Sequence, residues 1–294
     1  MKIFDCFQFF DEDMMLDLRL NVLNEYVDKF VIVENLFMHS GKKKSQNFKP
    51  DNFKKFKDKI IYILVDRLPN DIVDIDKSTY KDKTSIIIDN TLKIEHNQRN
   101  KINEGLKEAE ENDLILISDV DEIPKLENIK LNLKNKIVLF KQKIYYYKFN
   151  LSYSGKTWSG TKGVLKKNLK TPQWLRDIKD KKYPFWRLDI LFNKMKYNNI
   201  EFINDGGWHF TNFRSPKDLE FKLRNFGHHA EFLESGLSIQ DIEKMINENK
   251  AIYDYKADMR EDKWKGEKKL IKSDNSELPI YVQSNYEKYK SWFI

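Results

Sequence analysis

The first third of the chain alternates short apolar runs with amphipathic stretches, and each change of period marks a new element. Residues 2–9 are apolar except for Lys2, Asp5 and Gln8, and they read as a buried strand. Residues 12–26 set Met14, Met15, Leu18, Val22, Leu23 and Tyr26 on one helical face. Further strands are expected over Val27–Glu34 and Lys59–Val65. From about Ile86 to Glu110 a helical period carries Leu92, Ile102, Leu106 and Ala109, and it runs into a strand at Asp113–Ser118. Unbroken apolar strands separated by helices predict an α/β protein whose mostly parallel sheet is covered on both faces. Ligands of such sheets gather beyond the carboxyl ends of the strands. Glu34 and the run Ser118-Asp119-Val120-Asp121 fall at two of those ends.

After Pro124 the pattern changes. Lys136–Phe149 reads as one long β stretch ending in Tyr145-Tyr146-Tyr147. A strand at Ile200–Ile203, a turn at Gly206-Gly207, and helices near 216–226 and 238–248 follow. Neither a repeat nor a linker interrupts the chain, so a single domain over 1–294 is expected, divided into 1–124 and a C-terminal elaboration over 125–294. The polar stretch Lys263–Glu277 is expected to be loosely ordered.

Composition narrows the class. With 40% hydrophobic and 14% aromatic residues the chain has enough to build a core, which excludes a disordered protein. Its single cysteine, Cys6, rules out an internal disulfide and is expected to be a small buried residue. No stretch approaches the roughly 18 apolar residues of a membrane span, and the N-terminus enters a strand without a signal-peptide core. A cytoplasmic location is the simplest expectation. The net charge is +7, yet residues 125–196 hold 19 Lys/Arg against 4 Asp/Glu. Such a segment could attract nucleic acid, an anionic membrane or a phosphorylated substrate; it could equally be a solvated lysine-rich face.

Asp-x-Asp occurs three times, at Asp11/Asp13, Asp74/Asp76 and Asp119/Asp121. Only the last follows a buried strand, where a turn can aim carboxylates into a crevice, and Glu122 adds a third acid before Pro124. Crowded acids call for a cation, and oxygen ligands suit Mg²⁺ or Mn²⁺, which leave positions open for substrate phosphates. A solvated acidic turn is the plainer alternative. In Gly206-Gly207-Trp208-His209-Phe210 the imidazole of His209 could join such an ion, or be a satisfied core histidine. Arg99, on the helix before the acidic strand, could grip phosphate or form a surface ion pair. Tyr145, Tyr146, Tyr147, Trp158 and Trp186 could stack on sugar rings, although each suits a core equally well. Two rival functions fit the same residues. A metal-dependent phosphotransferase or nuclease would want a second acidic cluster. A non-catalytic carbohydrate-binding module would not need the carboxylates.

Several of these segments together resemble glycosyltransferase family 17: Phe4-Asp5-Cys6-Phe7, Glu12–Asn24, Val27–Gly41, Gln98-Arg99, Asp113–Pro124, Gly207-Trp208-His209 and Asn285–Tyr289. The resemblance implies a GT-A-type, Rossmann-like fold and an inverting transfer from a nucleotide sugar, in the first instance UDP-GlcNAc, to a saccharide or lipid-linked saccharide, with no role for nucleic acid. Asp119 and Asp121 would bind the metal, with His209 a further ligand. Glu34, Gln98, Arg99 and Asp119 would lie at the donor, within the 1–124 half, and 125–294 would take the acceptor. Inversion needs a base for the acceptor hydroxyl. Glu231, in Gly227-His228-His229-Ala230-Glu231, matches an acid soon after the family's Gly-Trp-His, and Asp205 is the second candidate. Animal members carry an N-terminal membrane anchor that is not expected here. A microbial or viral enzyme decorating a surface glycan or lipid-linked saccharide is expected, with the basic segment facing a membrane or a phosphorylated carrier.

Overall fold

The structure is a computed structural model describing residues 1–74, 83–129, 136–184, 186, 193, 195–227, 229–255, 263–264 and 268–294. Strands β1 (Ile3–Phe9), β2 (Lys29–Asn35), β3 (Ile60–Val65) and β4 (Leu114–Asp119) lie in the order β4-β1-β2-β3, all parallel. Their side chains alternate between two cores, as a period of two requires. Phe7, Phe9, Phe30, Ile32, Leu114 and Leu116 pack with helix α1 (Asp13–Leu23). Phe4, Cys6, Val31, Val33, Ile115 and Ile117 pack on the opposite face with Ile102 of the short helix α3 (Ile102–Gly105). Cys6 is fully buried, as its apolar surroundings foretold.

Beyond β4 the sheet continues through β9 (Lys162–Leu165), β6 (Ile137–Phe140) and β10 (Ile200–Ile203). Of its seven strands only β9 runs against the rest, so the parallel expectation holds with one reversed strand. A second sheet has the order β12-β8-β7-β11-β5, from β12 (Ile271–Lys272), β8 (Leu151–Trp158), β7 (Gln142–Tyr146), β11 (Gly207–Thr211) and β5 (Glu122–Pro124). Its far face packs on helices α5 (Pro216–Leu223), α6 (His229–Ser235) and α7 (Ile239–Asn247), which contribute Leu219, Phe232 and Ile242.

Five times the chain passes from one sheet to the other: at 119–122, between β5 and β6, at Lys141, at 158–162 and at 203–207. The stretch Lys136–Phe149 is therefore two strands in two sheets rather than one. Gly206 and Gly207 make the last passage possible. A Cβ on Gly206 would lie 2.8 Å from Lys141 N, and one on Gly207, at φ +123°, would lie 2.2 Å from Ile123 O.

Three further expectations are corrected. The long helix breaks in two, α2 (Lys83–Asn100) and α3, and α2 buries Asn90, Thr91, Ile94, Gln98 and Arg99 while Leu92 is 44% exposed. Its inner face is polar because it borders the site described below, so the period fails at Leu92, while Ile102 and Leu106 beyond the break are buried as expected. The stretch 263–277 is not loose where it is described: Trp264 and Leu270 are buried and β12 pairs with β8. Tyr26 stands outside α1 at the surface. Among the described residues no helix is long and apolar enough to cross a membrane.

Candidate active site

The acidic turn lies at the first passage between sheets, between the end of β4 and the start of β5. Alternation along β4 sends Ser118 towards α1 and Asp119 towards α2, so the turn has two differently built sides. On the α1 side Arg19, fully buried, makes two hydrogen bonds to Asp5 at 2.7 and 2.6 Å. The same guanidinium donates to Ser118 Oγ and to the carbonyl oxygens of Asp119 (3.0 Å) and Glu122 (2.8 Å). One arginine thus fixes the backbone that presents the acids, while Asp5 neutralises it in a dry setting.

On the other side Asp119 accepts from Arg99 at 3.2 Å and from Arg176 at 2.8 Å. Burial pushes its carboxyl up, but the Arg176 and Arg99 guanidinia outweigh that and hold it well below the carboxylate range. Arg176 comes from helix α4 (Pro172–Asp177), started by Thr171 accepting from the Trp174 N–H. Its fork also grips both oxygens of Glu122, each at 2.7 Å. Glu122 further accepts from Trp158 Nε1 and from the Asp119 N–H, so its capacity is spent inside the protein. Close by, Lys162 is buried against the carbonyls of Arg176 and Ile178, and burial, then Arg176, lowers its pKa to about 7.

Asp121 is placed differently. Its Oδ2 lies 3.8 Å from His209 Nε2, and burial raises its carboxyl above the ordinary range, offset only in part by His209 and Lys222. The His209 ring stacks on Trp158 at 5.2 Å. Asp119, Asp121 and His209 all line a cavity of about 290 Å³, together with Gln98, Arg99, Glu95, Tyr146, Trp158 and Tyr255. Four buried side-chain atoms of its lining residues have no hydrogen-bond partner: Asn35 Nδ2, His39 Nδ1, Arg99 Nε and His209 Nδ1. Orphaned buried polar atoms are costly, and their concentration in one cavity marks it as a place for a polar ligand.

The other predicted residues lie elsewhere. Glu34 faces the α1 side with Phe30 and Ile32; it is fully buried and accepts from Lys44, the Asn47 and Phe48 N–H groups and the Tyr62 hydroxyl. Asp205 is 83% exposed and pairs with Lys125. Glu231 stands half-buried in the first turn of α6, four residues past Gly227 of the cavity wall. Tyr145 and Tyr147 belong to the core, Trp186 is 68% exposed, and Asp76 and His228 are outside the described residues. Of the basic residues of 125–196, Arg176 and Lys162 point inward rather than to a charged surface.

Sequence reasoning missed Arg19 and Arg176. Arg19 left a signal, a charged residue on the apolar face of α1 opposite Asp5 in an apolar strand; Arg176, in a lysine-rich stretch, left none. Among the described residues no three His, Cys, Asp or Glu side chains converge to hold a metal by themselves. Asp121 and His209 nevertheless offer an oxygen and a nitrogen donor to one point of the cavity, a set that fits an ion taking its remaining ligands from a phosphate and water.

The model of glycosyltransferase family 17 matches residues 1–174, more than half of the chain, through the acidic turn and to the start of α4. A search of curated proteins finds none that matches.

Proposed function

The chain belongs to glycosyltransferase family 17 and is a glycosyltransferase, and on that premise we propose that the cavity at the sheet junction binds a nucleotide sugar with a divalent cation and transfers the sugar with inversion. The fold is read as GT-A-type, with residues 1–124 holding the donor and 125–294 the acceptor. The observation that carries this is Asp121, a half-buried carboxylate 3.8 Å from His209 in a cavity with four unsatisfied polar atoms. Asp121 and His209 would hold Mn²⁺ or Mg²⁺, and Asp119, engaged by Arg99 and Arg176, would orient the donor beside them. When bound, the cation would neutralise the charge that develops on the departing diphosphate.

The chain's own residues supply the rest. Arg19 fixes the turn, Arg176 spreads positive charge over Asp119 and Glu122, and the aromatic wall of Trp158 and Tyr255 excludes water and offers a face to a sugar. For the base we keep Glu231, one turn beyond the cavity wall; Asp205, paired to Lys125 at the surface, is the weaker choice. The donor is read as UDP-GlcNAc and the acceptor as a glycan or glycolipid hydroxyl, with membrane contact at the periphery.

The test is release of nucleoside diphosphate from a panel of nucleotide sugars with and without Mn²⁺. Metal-dependent release from one donor, reduced at least about 100-fold in Asp121→Ala, is the expected result. Equal release by that variant would remove Asp121 from the site. In Glu231→Gln, transfer to an acceptor should fall while donor binding stays; unchanged transfer would dismiss Glu231 as the base.

A further inference from the structure

Two of the cavity's unsatisfied atoms lie apart from the acidic turn, beyond the carboxyl end of β2. Asn35 ends β2 and is almost wholly buried. Its Oδ1 accepts from the Phe37 N–H at 2.9 Å, which fixes the amide and leaves Nδ2 as a donor with no partner. His39 is also buried. Gln98 donates its Nε2 to Val33 O at 2.9 Å and lines the same cavity. The Nδ1 of His39 has no partner. Burial disfavours the imidazolium, and a neutral ring protonated at Nε2 presents Nδ1 as an acceptor. This corner therefore holds an amide donor and an imidazole nitrogen, both without a partner, and that nitrogen accepts when the ring is protonated at Nε2.

Around them the walls are flat and aromatic. The Phe226 ring lies 4.4 Å from His39, tilted by 37°, and Phe10 meets Phe226 edge-on at 5.2 Å. Phe10, Phe37 and Phe226 all line the cavity. A planar heterocycle with an acceptor atom next to an N–H satisfies both orphans and fills an aromatic slot. A sugar ring, neither planar nor aromatic, suits the slot less well.

We propose that Asn35 and His39 read the edge of the donor's nucleobase, Asn35 donating to a carbonyl or ring nitrogen and His39 accepting from the neighbouring N–H. The inference rests on the nucleotide-sugar reading of the same cavity and adds which residues choose the nucleotide. It also gives the cavity a direction: base at the ends of β1 and β2, diphosphate towards Asp121 and His209.

The experiment is equilibrium binding of UDP, GDP, ADP, CDP and inorganic pyrophosphate to the full chain in Mn²⁺. The variants are Asn35→Asp, which keeps the acceptor for the Phe37 N–H but loses the donor, and His39→Phe, which keeps a ring against Phe226. Unfolding midpoints check that both are folded. The expected result is one preferred nucleoside diphosphate in the wild type, bound about tenfold or more weakly by each variant, with flattened discrimination among bases and unchanged binding of pyrophosphate. Unchanged affinity and ranking in both variants would overturn the assignment, and so would an equal loss for pyrophosphate. A wild-type chain that binds none of the four nucleotides would instead refute the nucleotide-sugar reading itself.

Discussion

The two sides of the acidic turn use the same residue types to opposite ends. Towards α1, Arg19 meets Asp5, Ser118 and the turn's carbonyl oxygens in a dry, complete network. Towards the cavity, Arg99 and Arg176 meet Asp119, yet Arg99 Nε and His209 Nδ1 stay unpaired and Asp121 keeps a carboxyl raised by burial. A complete network is worth stability and contributes nothing to binding directly. An incomplete one costs stability and is finished by a ligand. The contrast separates residues that position the site from residues that use it.

The largest effect should come from breaking the complete side. Arg19→Met strands Asp5 in the core and should cost about 3–5 kcal/mol in denaturant unfolding. A loss under about 1 kcal/mol would mean that the turn does not depend on this arginine. On the cavity side the effect should be smaller and of another kind. Arg176→Gln should cost about 1–3 kcal/mol, because Asp119 keeps Arg99 and solvent reaches it, while buried Glu122 keeps the Asp119 N–H and Trp158 Nε1. Donor turnover should fall more than stability does.

The smallest effect sharpens the second. The folded Asp119 carboxyl is held below its ordinary value of 3.8, so its contribution is complete above that value and is lost as pH falls below it. The stability gap between wild type and Arg176→Gln should therefore be constant from pH 7 to 5 and narrow below about pH 4. Urea midpoints at pH 7, 5 and 3.5 measure it, and a gap that widened in acid would show that Arg176 does not act through Asp119.

Much of the first sheet was legible because its strands are plain: β1 to β4 and α1 are apolar runs of the right period, and Asp119 and Asp121 follow directly from where β4 must end. The rest was hidden for identifiable reasons. A single residue, Lys141, separates two strands that belong to different sheets, and nothing in Ile137–Tyr147 marks the break. Helix α2 turns Gln98 and Arg99 inward and Leu92 outward, because a helix bordering a site buries polar residues. Glu34 was found at a strand end, but alternation turned it to the α1 side, and the neighbouring Asn35 lines the cavity instead. Arg176 reaches the turn only through the packing of α4, which no local pattern announces.

The claim that the cavity side awaits a nucleotide and a cation together is tested most directly by thermal unfolding with UDP, with Mn²⁺, and with both. Ligands that complete one network should raise the midpoint jointly by more than the sum of their separate shifts, and Asp121→Asn should lose that excess while unfolding near the wild-type midpoint without ligand. The same joint shift in Asp121→Asn, or no shift in the wild type, would contradict the account.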